Sequence, residues 1–440
     1  MDTIASIPYV LVHFDKSGAL QNPLVLPEGT KEILVVSHGW NNSQEAAEKL
    51  YRELFTHFAE VAPHSVRNRK LAILGIIWPS KQFTELVEAT AKSGGAASFG
   101  GGKQADETLK VKLDLLQDLF GPNSAATIQQ ANDLIGALDD DPAARDKFVS
   151  LLLGLVDRSA ADKDDATDKL FKLTGSQILE KLKVDTPRTA VAPSGGGAAA
   201  LLHNEASPPL AGSAAGLGDS FNGIKAGAIR LLNFLTYYEM KARAGTVGKG
   251  VGAVLDTLPA SIERIHLVGH SFGGRVVSAA AMASTTDRIR SMTLLQAAFS
   301  HNGFSANFDN SPTPNPGFFR SVIDQERVRG PILITHTQND IALGILYPAA
   351  SRLSGTVASA FGDQNDKFGG IGRNGAQKMK PGEVNINVSK LLPVNGAYDL
   401  QAGKIHNLEG SDFIRDPKGG DAHGFVTGKE IGWAISSAVA

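Results

Sequence analysis

The sequence predicts an α/β domain with a mostly parallel central sheet flanked by helices. Short apolar runs typical of buried strands recur along the chain, and helical periodicity separates the early ones. A serine flanked by glycines also follows one of these runs directly, as at a strand-to-helix turn. The predicted strands are Tyr9–His13, Ile33–Ser37, Leu71–Trp78, Ile265–Val268, Met292–Gln296, Ile332–Thr337 and Lys404–Leu408.

The first predicted helix lies between the second and third of these strands. It runs from Ser43 to Ala59, with Ser43 as the N-cap and with Glu45 and Glu48 close to the positive end of the helix dipole. Its apolar residues recur near the 3.6-residue period, which predicts that one face packs on the sheet. They are Ala46, Ala47, Leu50, Leu54 and Phe58.

The alternation stops between residues 81 and 218, where helical patterns replace the strand signal. We therefore divide the chain into an α/β core, residues 1–80 and 219–440, and a helical insertion, residues 81–218, with a helix over Asp219–Ala242 returning the chain to the core. Gly94–Gly102 and Ala190–Gly218 are rich in Gly, Ala, Ser and Pro and are predicted to be mobile connectors. We expect the insertion to be a cap or lid over the C-terminal edge of the sheet; the alternative is a surface ornament away from the site. Its predicted helices are Leu109–Phe120, Ala125–Leu138, Ala143–Val156 and Ala166–Leu182.

The glycine-flanked serine has the pattern of a nucleophile elbow. Gly269, Ser271 and Gly273 stand between the predicted strand and an Ala-rich helical run, Val276–Met282. A serine on such a sharp turn has a strained backbone, and its neighbours two residues either side must lack side chains. The turn lifts the hydroxyl above the sheet and places a helix N-terminus beneath it, where the amide of Phe272 can donate to an oxyanion. The alternative is a chance match in a chain with 47 glycines.

A serine nucleophile needs a base that is itself oriented, and on this type of turn the partners follow in the order serine, acid, histidine. Asp340 comes just after the strand Ile332–Thr337, at an edge where α/β sheets place their sites; the alternative is a turn aspartate that caps the next helix. His423 lies in a Gly-rich loop before the predicted terminal helix Glu430–Val439 and is the expected base. His406 also follows the acid, but it lies inside a strand-like run, where a structural histidine is expected.

A second oxyanion donor is expected from the turn after an early strand. The segment Val36–Asn42 has the right form and place, and the amide of Trp40 is the candidate donor. His38 and Gly39 are expected to support this loop, with His38 bracing it rather than transferring protons. The two asparagines that follow Trp40 are expected to hold the loop or to form its turn.

Together these motifs resemble the α/β-hydrolase superfamily, and within it a bacterial group of serine hydrolases of unknown function. The resemblance covers residues 30–80 and 220–435 and leaves the insertion out. The residue before the serine, His270, is common at this position in esterases and lipases. The resemblance implies hydrolysis of esters or lipids, although the fold also hosts amidases, thioesterases, peroxidases and lyases. The matching motifs are His38–Asn42, Trp78–Ser80, Gly269–Gly273 and Asp340–Leu343.

The amino-acid composition limits which classes of binding partner and cofactor are expected. The chain has 440 residues, of which 42% are hydrophobic and 20% charged, and its net charge of −2 gives no electrostatic reason to expect a nucleic acid. No cysteine is present, so thiolate chemistry and cysteine metal sites are excluded. His336 and Asp340 stand four residues apart but on no predicted helix face, so neither a metal nor another cofactor is expected. No apolar run is long enough to span a membrane, and the N-terminus has no secretory pattern, which makes the cytoplasm the default location.

The sequence therefore predicts a serine hydrolase that cleaves carboxylic esters through an acyl-enzyme, with a small molecule, lipid or polymer as the ester. A lipase, a polyester depolymerase or an amidase could use the same three residues. A protein of another class, a scaffold that keeps the fold without catalysis, is the second alternative. Acyl chain length and oligomeric state are not fixed by these patterns.

Overall fold

The central sheet has eight strands in the computed structural model, which describes residues 2–80, 101–157, 162–165, 167–183, 223–343 and 367–440. The order across the sheet is β1-β2-β4-β3-β5-β6-β7-β8, and each neighbouring pair is parallel except β1 with β2. The strands are β1 Asp2–Ile4, β2 Ile7–His13, β3 Glu32–Ser37, β4 Leu71–Ile77, β5 Arg264–His270, β6 Ile289–Leu295, β7 Ile332–His336 and β8 Ile405–Glu409.

All seven predicted strands are confirmed, and the structure adds the edge strand β1. Only Ile4 of its three residues is buried, so β1 has no apolar run that a sequence pattern could detect. Ala5 and Ser6, with φ of 46° and 70°, form the tight turn that folds β1 back on β2. The mostly parallel α/β architecture is thus as predicted.

Helices flank the sheet on both sides. Helix α1 begins at its predicted N-cap, because the Ser43 hydroxyl accepts a hydrogen bond from the amide of Ala46 at 3.2 Å. The α-helices of the described residues are α1 Gln44–Val61, α2 His64–Arg67, α3 Gly101–Phe120, α4 Ala125–Leu134, α5 Pro142–Leu153, α6 Thr167–Leu170, α7 Gly175–Leu182, α8 Ile224–Thr257, α9 Phe272–Ala283, α10 Arg320–Asp324, α11 Ile371–Asn374 and α12 Lys429–Val439. Short 3₁₀ turns lie at Pro122–Ser124 and Ile135–Ala137.

Two predicted helices are corrected. The single helix expected over Ala166–Leu182 is two helices, α6 and α7, because Thr174 and Gln177 form a capping box that starts α7 anew. The helix expected over Asp219–Ala242 continues to Thr257 as α8, while residues 219–222 lie outside the described residues. Its second half is rich in glycine because it packs tightly on α9: a β-carbon on Gly248 would lie 2.4 Å from the carbonyl oxygen of Val276.

The core occupies both faces of the sheet. Along β3, Ile33 and Val35 contact one apolar cluster, whereas Leu34 and Val36 contact the other, and all four are buried. Helices α1 and α12 pack together on one side, and α8 and α9 on the other. Strand β5, which leads into Ser271, lies near the middle of this three-layer arrangement.

The helices of the insertion pack against α8. Both α3 and α7 contact this helix, and Lys112 donates to the Asn233 side chain at 2.7 Å. Residues 94–100 of the first predicted connector and all of the second lie outside the described residues, whereas Gly101 and Gly102 open α3. Among the described helices, none is both long and apolar enough to cross a membrane.

Candidate active site

Ser271 lies on a strained turn between β5 and α9. Its φ and ψ of 56° and −124° are rare for a residue with a side chain, and such a conformation costs on the order of 1–3 kcal/mol. Proteins keep strain of this kind where a side chain must be presented in one orientation. The backbone here has the sharp strand-to-helix geometry that the sequence pattern predicts.

The two flanking glycines are required by close contacts on different sides. A β-carbon on Gly269 would lie 2.3 Å from the carbonyl oxygen of Gly273, within the turn itself. A β-carbon on Gly273 would lie 2.0 Å from the carbonyl oxygen of Ser37, at the end of β3. Both glycines are predicted to let the turn close, but Gly273 instead lets α9 approach the neighbouring strand β3.

The structure brings the predicted serine, histidine and acid together. Nε2 of His423 is 2.8 Å from Ser271 Oγ, and Nδ1 of His423 is 2.8 Å from Asp340 Oδ2. The side chains of His423 and Asp340 are fully buried, and Ser271 is 6% exposed. With Nδ1 donating to the carboxylate, Nε2 is left as the acceptor for the serine hydroxyl proton. The second carboxylate oxygen, Oδ1, accepts from the amide of Leu343 at 2.9 Å, which fixes the carboxyl plane.

The acid and the histidine meet because their strands are neighbours. Asp340 follows β7 and His423 follows β8, and these parallel strands end at the same edge of the sheet. Asn339 ties the two connections: its amide group donates to the carbonyls of Ser411 and Ile414, both at 3.2 Å. Its own carbonyl accepts from the amide of Ala422 at 3.0 Å.

The predicted oxyanion loop lies directly against the serine. A β-carbon on Gly39 would be 3.1 Å from Ser271 Oγ, and the rings of Trp40 and Phe272 meet edge to face at 6.0 Å. Within the described residues, no hydrogen-bond acceptor is found for the main-chain amides of Trp40 and Phe272. Two such amides beside a serine hydroxyl are the kind of donors that could stabilise an oxyanion.

His38 braces this loop in its neutral form. Burial lowers the pKa of its imidazole to about 4. Its Nδ1 is 2.8 Å from the carbonyl oxygen of Gly39, and its ring stacks on Trp78 at 5.5 Å. The Trp78 indole donates in turn to the carbonyl of His38 at 3.2 Å.

The segment Trp78–Ser80 supports the loop Val36–Asn42 through hydrogen bonds. The amide of Asn41 donates to the carbonyl of Ser80 at 3.0 Å, and the hydroxyl of Ser80 donates to the carbonyl of Asn42 at 3.1 Å. Asn41 has a φ of 59°, and the Asn42 side chain donates to the carbonyl of Trp40 at 3.2 Å. Asn41 therefore makes the turn and Asn42 holds it.

His270 contacts the loop that carries His423, and the sequence did not predict this contact. Its Nε2 is 2.9 Å from the carbonyl oxygen of His423, and the two rings are 5.1 Å apart. Burial lowers the pKa of His270 to about 3, so it is a neutral donor to that carbonyl. Only its place next to Ser271 could have indicated this contact.

Two further buried residues at this edge were also missed. Arg373 donates to the carbonyl of Asp340 at 2.9 Å, and Asp421 accepts from the amide of His423 at 3.2 Å. The other candidate histidine, His406, is buried in β8, where its Nε2 accepts from the amide of Gln401 at 3.1 Å. His406 thus belongs to the packing of the strand.

Among the described residues, three carboxyls lie close enough to share a metal ion, at Asp162, Asp164 and Asp165. Cationic side chains already pair with two of them, Asp162 and Asp165. Lys241 bonds both Asp162, at 2.8 Å, and Asp165, and Arg275 lies 3.2 Å from Asp162. Because an ammonium group holds two of the three carboxylates, the cluster is a buried ion-pair network that ties the insertion to α8 and α9.

Comparison of this chain with family models, with curated proteins and with solved structures gives no match. Its function is therefore inferred from the geometry of the site.

Proposed function

We propose that this chain is a serine hydrolase of the α/β-hydrolase type that cleaves carboxylic esters through an acyl-enzyme. The observation that carries the proposal is the pair of 2.8 Å contacts from His423, one to Ser271 Oγ and one to Asp340 Oδ2. A serine hydroxyl is a weak nucleophile unless such an oriented base takes its proton. The motif resemblance over residues 30–80 and 220–435 points to the same class.

The reaction would proceed in two halves. Ser271 Oγ attacks the ester carbonyl carbon while its proton passes to His423 Nε2, and Asp340 stabilises the imidazolium that forms. The carbonyl electrons move to the oxygen, which the amides of Trp40 and Phe272 would hold. Removing one such donor costs on the order of 10²–10³-fold in kcat in serine hydrolases. Collapse expels the alcohol, which takes the proton from His423, and water then repeats the sequence on the acyl-enzyme.

The low basicity of the other nearby histidines supports the assignment of His423 as the base. His38 and His270 are buried, and the lowered pKa of each makes its imidazole a weak base. Each already bonds a main-chain carbonyl, Gly39 and His423 respectively. Of the three, His423 is the one whose ring joins a carboxylate to a hydroxyl.

We further propose that the insertion contributes the wall of the acyl pocket. Helices α3 and α7 pack on α8, and Tyr237 of α8 contacts Phe272 with ring centroids 5.3 Å apart. The insertion is thus one layer away from the residue that follows the nucleophile. Replacing residues 92–214 by a Gly/Ser linker would expose apolar side chains of α8. The test therefore measures both the acyl chain-length preference of the deletion variant and whether that variant is folded.

Hydrolysis of a series of p-nitrophenyl esters of increasing acyl length tests the proposed activity. Turnover by the wild-type protein, with loss of several orders of magnitude in Ser271→Ala, is expected. An amidase or a lipase would show its preference when matched anilides and emulsified triglycerides replace these esters. A folded protein inert on all three classes would favour the scaffold alternative.

A further inference from the structure

Asp421 lies two residues before His423 and is fully buried. Its Oδ1 accepts from the amide of His423 at 3.2 Å, and also from the amides of Ile341 at 2.9 Å and Ala342 at 3.3 Å. One carboxylate oxygen therefore bonds both the main chain of the histidine and the segment that follows the acid Asp340.

This oxygen lies beside a hydrogen bond between the same two segments, in which the amide of Ala422 donates to the carbonyl of Asn339 at 3.0 Å. The segments that carry Asp340 and His423 are thus joined by a main-chain bond and by the Asp421 carboxylate, in addition to the contact between the two side chains. Without an acceptor at position 421, the buried amides of Ala342 and His423 would lose this partner, and the amide of Ile341 would keep only its bond to the carbonyl of Asn339 at 3.0 Å. A buried amide without an acceptor is destabilising, so loss of this acceptor would favour displacement of the loop that carries His423.

The carboxyl of Asp421 also acts electrostatically on the site. Burial and the nearby charge of Asp340 raise the pKa of Asp421 to about 6, against the opposing effect of His423. Its second oxygen, Oδ2, has no hydrogen-bond partner among the described residues. Two further ionisable groups at this edge are His270, which bonds the carbonyl of His423, and Arg373, which bonds the carbonyl of Asp340.

We propose that Asp421 is a positioning residue for the proposed base. Its carboxyl holds the main chain of His423 against the amides of Ile341 and Ala342, and so sets the imidazole at bonding distance from both Asp340 and Ser271. Its negative charge supports the imidazolium formed during the reaction. The inference rests on the proposed hydrolase function.

Two substitutions separate the acceptor from the charge. Asp421→Ala removes both, and we expect kcat to fall by about 10–100-fold with KM changed by less than about threefold, because orientation of the base is lost. Asp421→Asn keeps an acceptor oxygen, and at pH 8 we expect kcat within about threefold of the wild-type value. The acid limb of its pH–rate profile should move to lower pH by about half a unit, because a neutral amide no longer stabilises the imidazolium.

Asp412→Asn is the matched control, since Asp412 is an exposed carboxyl on the same connection after β8. It should leave both kcat and the acid limb unchanged. Urea unfolding of each variant checks the fold. If Asp421→Ala does not fold, Asp421→Asn alone decides: a shifted acid limb supports the proposal, and an unshifted limb overturns it.

A folded Asp421→Ala with wild-type kcat, or one that differs only in KM, would also overturn it. The proposed function fails separately. If the wild-type protein neither hydrolyses esters nor reacts with a fluorophosphonate, both proposals fall. If the wild-type protein is active and the variants at position 421 match it, the positioning role alone falls.

Discussion

Gly39 and Ser271 are in such close contact that a β-carbon on Gly39 would lie 2.6 Å from the β-carbon of Ser271. No flexible side-chain end is available to yield, so either the loop that carries Gly39 or the turn that carries Ser271 would have to move. The loop and the turn are therefore fitted to each other, although they are more than 200 residues apart in the sequence.

Gly39→Ala should consequently impair catalysis far more than folding. We expect kcat to fall by about 10²-fold or more, since a shift of about 1 Å in a reacting group has effects of that size. Gly136→Ala is the control, because a β-carbon there meets no atom within 4 Å. Ester kinetics and urea unfolding of both variants would check this. Wild-type kcat in Gly39→Ala would show that the loop is not part of the reacting geometry.

The three proposed catalytic residues should behave as a unit. Asp340→Asn and His423→Ala should each lower turnover by about 10³-fold or more, and the double variant should lose little beyond the more severe single one. His406→Ala should retain activity, because His406 lies in β8 and accepts from the amide of Gln401 instead of contacting this site. An inactive His406→Ala that remains folded would reverse the assignment of the base.

Stability should fall on acidification because two histidines are buried in their neutral form. The folded-state pKa of His38 is lowered to about 4 and that of His270 to about 3, both by burial. Below the unfolded value of about 6.5, the unfolded chain takes up protons that the folded chain does not. Each residue should therefore remove about 1.4 kcal/mol of unfolding free energy per pH unit between about 6 and 4.5.

Urea unfolding as a function of pH measures this slope. The slope, not the absolute stability, should decrease by about 1.4 kcal/mol per pH unit in His38→Gln, since glutamine does not titrate. His64→Gln is the control, because His64 is exposed. An unchanged slope in His38→Gln would mean that His38 is not held neutral in the folded protein.

The buried ion pairs of Lys241 should matter for stability more than any exposed pair. Lys241→Met would remove the buried ammonium group that bonds both Asp162 and Asp165, and we expect a loss of about 3–5 kcal/mol. Lys31→Met breaks an exposed 2.8 Å pair with Glu263 and should cost about 0–1 kcal/mol. Equal midpoints of urea unfolding for the two variants would contradict this.

Much of the site could be predicted because its residues follow strands. Ser271, Asp340 and His423 each lie just after a strand, or after the loop that follows one, and the ends of parallel strands meet at one edge of the sheet. Their order along the chain then assigns the roles that we propose. The candidate histidine could be separated from His406 because the latter lies inside a strand pattern.

The supporting residues could not be predicted from their spacing. Asp421 and Arg373 act through main-chain atoms of segments about 80 and 33 residues away, and a main-chain partner has no sequence signature. The acidic residue Asp421 reads as an ordinary turn residue in a Gly-rich loop. The same limitation applies to α8, whose glycines indicate a helix end unless the close packing on α9 is known.

The proposed function is tested most directly by mapping the adduct of a fluorophosphonate probe. Such a probe forms a phosphorus–oxygen bond with an activated serine and releases fluoride. Peptide mass spectrometry should place one adduct on Ser271 in the wild-type protein, with no adduct in Ser271→Ala and much slower labelling in His423→Ala. Absence of labelling in the folded wild-type protein, or an adduct on another residue, would contradict the assignment of Ser271 as the nucleophile.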